Sequence, residues 1–192
     1  MSAEVKQPVH GMTVAEFLPW AAAALARGEG RYELVDGIPI AMSPERVLHG
    51  QTKFAIAIAL FAAIRRAKLP CHVQPDGAMV VVDNHKTYGP DALVYCGEAL
   101  SDDTIITPNP IILVEVISPS TGHIDKGDKL EGYFRIPSVQ HYLLVYPDQR
   151  MVVHHQRGDG DRMATRVVHD GEILLDPPGL ALNAADLFEI PA

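Results

Sequence analysis

The chain has no surplus of positive charge. Sixteen Lys and Arg face 24 Asp and Glu, for a formal net charge of −8. That excludes a protein that coats nucleic acid by bulk charge alone, because affinity for phosphates comes mainly from Lys and Arg. Any phosphate chemistry needs a local basic groove or a bound metal to reverse the field. Cysteine is scarce: Cys71 and Cys96 form no Cys-x-x-Cys pair, so neither a zinc ribbon nor a disulfide-stapled scaffold is expected. Two reduced, half-buried thiols in a cytoplasmic protein are the expectation. No run of apolar residues is long. "FAIAIALFAAI", Phe54 to Ile64, is too short to span a bilayer, so it reads as a core helix and no membrane partner is expected. The opening residues lack the basic-then-apolar pattern of a secretory leader. Internal repeats, low-complexity tracts and linkers are absent as well.

What is present suits one globular domain. The 192 residues are 47% apolar and 21% charged, enough to bury a sizeable core. Residues 1–12 read as a loose arm and residues 13–192 as a single domain. Thr13 and Glu16 fit a capping box at the head of an alanine-rich helix, with Pro19 marking a bend or late start. Asp36-Gly37 centres a hairpin in "RYELVDGIPIAMS". "ERVLHGQTKFAIAIALFAAIRRAK" is the clearest helix, and its second half is apolar almost all round, which predicts burial. "CHVQPDGAMVVVD" reads as a second hairpin, "DNHKTYG" as a turn and "PDALVY" as a short strand. "PIILVEVIS" has apolar residues on both faces, the mark of a central strand. A helix from about Gly122 to Arg135 and the buried strand "HYLLVYP" follow, a strand–helix–strand unit that favours parallel pairing. "RMVVHHQR", "DRMATRVVHD" and "GEILLD" form an antiparallel meander, and "NAADLF" a closing helix capped by Asn183. The fold class is mixed α/β, a central mixed sheet flanked by helices.

One carboxylate, Glu115, interrupts the apolar run from Ile111 to Ile117, and an ionised acid is costly to bury without a cation or strong hydrogen bonds. Asp91, just after Pro90, heads a neighbouring short strand. If the two strands pair, both carboxylates converge at one end of the sheet. Two such oxygen donors repel unless a cation sits between them. Mg²⁺, or Mn²⁺, suits them, because it takes few carboxylates and keeps its waters. Lys129 shares a helical stripe with Asp125 and Tyr133, and its amine can reach the Glu115 region. Glu115 is then met by a metal, by Lys129, or by both. His49 shares a stripe with Ile56 and Leu60, where its imidazole can bond a carboxylate such as Glu33. Bland readings stand beside these: a buried Glu115–Lys129 ion pair without catalytic duty, a turn-ending Asp91, a core His49 and a solvated Glu33. His154 and His155 point to opposite faces of a strand and make a poor chelate.

"YELVDG", His49, "PDALV", "LVEVISPST" and "DKGDKLEGYF" are individually weak, but their order and spacing resemble the Uma-two family, a bacterial branch of the PD-(D/E)XK nuclease superfamily. The resemblance covers nearly the whole chain. It implies a restriction-endonuclease-like core and an endonuclease that hydrolyses DNA phosphodiester bonds with metal-activated water. Asp91 and Glu115 would hold Mg²⁺ or Mn²⁺. The superfamily lysine falls at position 117, where this chain has Ile117, and Lys129 matches the Uma-type lysine in the following helix instead. Glu33 and His49 match supporting positions. DNA is the implied substrate, and cutting a duplex is simplest with a homodimer. Two other functions fit the same residues: a catalytically inactive nuclease-fold domain for DNA binding or assembly, and a structural domain built on the Glu115–Lys129 ion pair.

Overall fold

The structure, a computed structural model, describes residues 11–117 and 126–189. Most of the expected N-terminal arm, and the expected break at Pro119 with the helix start at Gly122 and Asp125, lie outside the described residues. In chain order the elements are α1 (Val14–Ala26), β1 (Tyr32–Val35), β2 (Ile38–Ala41), α2 (Val47–Ala67), β3 (Cys71–Pro75), β4 (Val80–Asp83), β5 (Lys86–Tyr88), β6 (Ala92–Cys96), β7 (Pro110–Val116), α3 (Lys126–Arg135), β8 (His141–Tyr146), β9 (Met151–Arg157), β10 (Met163–Val168), β11 (Glu172–Leu175) and β12 (Leu180–Asn183). The chain divides into two compact units, Met1–Pro44 with Val81–Tyr88, and Glu45–Val80 with Gly89–Ala192.

In the first unit, the Thr13 hydroxyl accepts the Glu16 N–H at 3.3 Å and the Glu16 carboxylate accepts the Thr13 N–H at 2.9 Å. This reciprocal box anchors the first turn, so α1 runs through Pro19 instead of starting after it. Asp36 and Gly37 both have positive φ (49° and 79°), as a two-residue turn that matches strand twist requires. A Cβ on Gly37 would also come within 2.6 Å of the Gly11 Cα. The sheet order is β2-β1-β5-β4.

The second unit is built on a six-stranded sheet in the order β10-β9-β8-β7-β6-β3. Only β7 and β8 run parallel, as their connection through α3 demands. Ile56, Leu60, Ala63 and Ile64 of α2 pack with Ala92, Val94, Ile112, Val114, Leu143 and Val145 of the sheet. The opposite surface of α2 is not buried: Phe54 and Phe61 are 56% and 60% exposed. An apolar stripe wider than the sheet contact thus left the expectation of all-round burial unmet. By length and apolarity alone α2 could cross a membrane, yet it packs on the sheet as a core helix does.

Two further expectations are corrected. "CHVQPDGAMVVVD" is not a hairpin: β3 pairs with β6, while β4 joins β5 in the other sheet. The Asp76-Gly77 turn separates strands that find better partners elsewhere. Cys71 and Cys96 are not free thiols but a disulfide. They face each other directly across β3 and β6, which brings their sulfurs together. The expected C-terminal meander stops at β10: β11 leaves the six-stranded sheet and pairs with a strand not foreseen, β12, in a two-stranded sheet. Asn183 caps the closing 3-10 turn Ala184–Leu187 by accepting the Ala185 N–H at 3.2 Å.

His154 and His155 do point to opposite faces. His154 Nε2 lies 2.9 Å from His141 Nδ1, and His155 Nδ1 lies 2.9 Å from the Thr165 hydroxyl. His141 Nε2 lies 2.9 Å from the Pro177 carbonyl. A carbonyl only accepts, so His141 carries its proton on Nε2 and takes a bond from His154 Nε2–H. That leaves His154 Nδ1 buried and unpartnered among the described residues, and burial together with neighbouring His141 pushes the His154 imidazole down to about 4. Below the ordinary value of 6.5 the unfolded chain takes up a proton that the folded chain refuses. Stability should therefore fall as pH drops from 6.5 towards 4. Urea midpoints measured across that range should decline, and His154→Gln should flatten the decline; an equal slope in both proteins would contradict it.

Candidate active site

Asp91 immediately precedes β6 and is 5% exposed. Its N–H donates to the Val114 carbonyl at 3.0 Å, and its Oδ2 accepts the Val116 N–H at 2.6 Å. These two bonds grip the backbone on either side of Glu115. Residues 91 and 115 are therefore neighbours across adjacent strands, in line with the Ala92–Val114 register.

The remaining partners of Asp91 come from α2. Lys53 Nζ lies 2.9 Å from Asp91 Oδ1, 2.6 Å from Glu45 Oε1 and 3.1 Å from Asp76 Oδ2. His49 Nε2 lies 3.4 Å from Asp91 Oδ2 and 3.9 Å from Glu45 Oε2. With acceptors on that side, Nε2 is the protonated nitrogen, and Nδ1 is buried with no hydrogen-bond partner among the described residues. Burial works to raise the Asp91 carboxyl, but the His49 bond, the Lys53 charge and the Val116 amide outweigh it and hold the group below 3.8. Burial likewise works to lower Lys53, yet Asp91 and Glu45 hold its ammonium above 10.5. The Asp91 contribution to stability is lost only as pH falls below the carboxylate range, and that of Lys53 only as pH rises past 10.5. Both groups stay ionised at neutral pH.

Glu115, 8% exposed, is met from the other helix. Its Oε1 accepts Lys129 Nζ at 2.9 Å and the Tyr133 hydroxyl at 2.6 Å. Tyr133 is fully buried and sits edge-on to Tyr142, with ring centroids 5.0 Å apart. Ile117 immediately follows β7, with its N–H donated to the Val145 carbonyl at 2.7 Å. Glu33 is buried on β1, in the four-stranded sheet, opposite Ile40, so it is not a solvated strand face.

Among the described residues, the metal-ligand atoms that converge belong to Glu45, His49 and Asp91, all within 4.8 Å of one another. The carboxylates of Glu45, Asp76 and Asp91 outnumber the one ammonium of Lys53 that they share, which leaves negative charge to be met. Clustered hard oxygens, one imidazole and that charge fit a divalent cation. Sequence reasoning missed Glu45, Lys53, Asp76 and the Tyr133 hydroxyl. Lys53 had a legible signal: it lies on the same stripe as His49, Ile56 and Leu60, a charge set into an otherwise apolar face.

The site thus sits on a mixed sheet with helices against it, with residues 91 and 115 opposite each other on adjacent chain segments. Comparison with known proteins places the fold. The model of the Uma2 family, described as "Putative restriction endonuclease", matches residues 14–187, and the chain belongs to that family. The chain superposes with a TM-score of 0.69, at 17% identity, on the crystal structure of "a putative nuclease belonging to DUF820" from Anabaena variabilis, covering 92% of this chain and 97% of that one. Two uncharacterized proteins of Synechocystis sp. are also similar. One is 32% identical over 93 residues, which span 47% of this chain and about half (49%) of that relative. The other is 26% identical over 160 residues, 82% of this chain and 88% of the relative.

Lys129→Met should take the ammonium away from the buried Glu115 carboxylate and destabilise the fold by about 3–5 kcal/mol. Adding Glu115→Gln should return most of that loss. Urea denaturation of the two variants measures it; a Lys129→Met protein as stable as the parent would show that the pair contributes nothing.

Proposed function

We propose that the chain is a metal-dependent endonuclease that hydrolyses phosphodiester bonds of DNA. The observation that supports this most is the Asp91 grip on the backbone flanking Glu115, which sets residues 91 and 115 opposite each other at one end of a sheet, although Glu115 is not in the convergent group of Glu45, His49 and Asp91. Asp91 and Glu115 would hold Mg²⁺ or Mn²⁺, with Glu45 and His49 as further donors. When bound, the ion supplies charge compensation for the phosphate and acidifies water. Asp91 presents an ionised carboxylate at every working pH, because Lys53, His49 and the Val116 amide favour its charged form. Tyr133 fixes the direction of Glu115 through its hydroxyl. Lys129 places an ammonium at the same oxygen, where it can steady charge building on a phosphate. A homodimer would bring two such sites to the two strands of a duplex.

A second reading has its own support. Each carboxylate already has a protein cation, Lys53 on Asp91 and Lys129 on Glu115, as a nuclease fold kept for binding or assembly would need.

Incubating the protein with supercoiled plasmid and Mg²⁺ or Mn²⁺ separates the two. The parent should nick the plasmid, EDTA should stop it, and Asp91→Asn should lower the rate by more than about 100-fold while remaining folded by circular dichroism. Equal nicking by parent and variant would assign the activity to a contaminant. No nicking by either would favour the binding domain.

A further inference from the structure

Lys53 is the least expected feature of the site. Its side chain is 8% exposed, and its single ammonium bonds three carboxylates, Glu45, Asp76 and Asp91, at 2.6, 3.1 and 2.9 Å. Two of those three residues are also members of the convergent ligand group Glu45, His49 and Asp91. The ammonium and a divalent cation therefore compete for the same two carboxylates. Asp76 is different: it bonds Lys53 but is not a member of that group.

We propose that Lys53 is the resident counter-ion of this site and sets its metal affinity, holding Asp91 and Glu45 in place without metal and retreating towards Asp76 when metal binds. The inference rests on the reading of Asp91 as a metal ligand. Three features of the cluster support it. The ammonium is a point charge with three donors on a flexible four-carbon stem, so it can turn between acceptors without losing all its bonds. The three carboxylates outnumber the one ammonium, so a divalent cation can enter while Lys53 only moves. And α2 fixes the stem, because Ile56 and Leu60 on the same stripe and Ala55 beside it are buried; the ammonium has only its own tether to travel on. Lys53 is thus a positioning residue, one that offsets part of the carboxylate charge before metal enters and keeps Glu45, Asp76 and Asp91 from repelling one another.

Titrating the purified full chain with Mn²⁺, with free Mn²⁺ followed by electron paramagnetic resonance, tests this without reference to activity. Lys53→Gln keeps a hydrogen-bond donor and removes the charge. It should bind Mn²⁺ about tenfold more tightly than the parent, since a repelling cation is gone. Lys53→Arg should stay near the parent value. In EDTA, Lys53→Gln should melt below the parent, and Mn²⁺ should raise its Tm by more than it raises the parent's. Affinity that is unchanged or weaker in Lys53→Gln overturns the competition and leaves the nuclease reading standing. Absence of binding by both proteins at millimolar Mn²⁺ overturns the two together. Should Lys53→Gln fail to fold, Asp76→Asn tests the same step from the other side. With its retreat removed, the ammonium stays on Asp91, and Mn²⁺ affinity should fall by about fivefold; an unchanged affinity overturns the proposal.

Discussion

The site depends on one clamp. Asp91 gives its N–H to Val114 and takes the Val116 N–H on its carboxylate, so one residue holds β7 both before and after Glu115. A strand shifted by a single residue turns every side chain to the other face. Were β7 to slip, Glu115 would leave Lys129 and Tyr133, and Asp91 would lose its amide. Sheet register and site geometry are thus the same constraint. The cost of burying the Asp91 carboxylate is met in part by a backbone donor that the end of β7 would otherwise have to satisfy elsewhere.

Charge compensation then divides between two helices. Asp91 draws Lys53 and His49 from α2, and Glu115 draws Lys129 and Tyr133 from α3. Each helix is fixed by apolar packing: α2 through Ile56, Leu60, Ala63 and Ile64 on the sheet, α3 through the fully buried Tyr133. Arg157 closes the end of α3 by donating to the carbonyl of Phe134, which a helix terminus leaves unpaired, and to those of Ile136 and Val139 just beyond it. The hydrophobic core thus sets where the cations stand, and the cations allow the carboxylates to be buried in ionised form. A site assembled this way is pre-organised before any ligand arrives, and electrostatic catalysis requires that order of events.

Local chemistry was readable in the sequence; pairing over distance was less so. Thr13 and Glu16, Asp36-Gly37 and Asn183 announced their caps and turn, because each depends on residues within one turn of chain. The parallel β7–α3–β8 unit was also legible, since a strand, a helix and a strand in succession leave few topologies. The meeting of Glu115 with Lys129 followed from a buried acid's need for a cation. Propensity could not say that β3 would leave β4 for β6, nor that this choice would set Cys71 opposite Cys96. Both facts belong to the register of strands distant in the chain. Lys53 was a different kind of miss. The helix period placed His49, Ile56 and Leu60 on one stripe, and the lysine between them was passed over because a charge on an apolar face reads as an exception to the pattern instead of part of a site.

Ile117 shows why the lysine of Glu115 comes from a helix. In a strand, residues two apart share a face, so position 117 stands on the face of Glu115, at the point where the Ile117 N–H still bonds Val145. An apolar residue there offers Glu115 no cation. The acid remains, and leaving it unpaired would cost several kcal/mol. A cation must then come from whatever covers that face, and α3 does so, bringing Tyr133 and Lys129 to the same Glu115 oxygen. The exchange has a consequence for specificity of form. A lysine on the strand would be fixed by the sheet alone, whereas one on α3 reaches Glu115 only when helix, strand and the Tyr133–Tyr142 ring contact are all in place. Charge at Glu115 is thereby tied to the completed fold of the unit, much as Lys53 ties charge at Asp91 to the seating of α2.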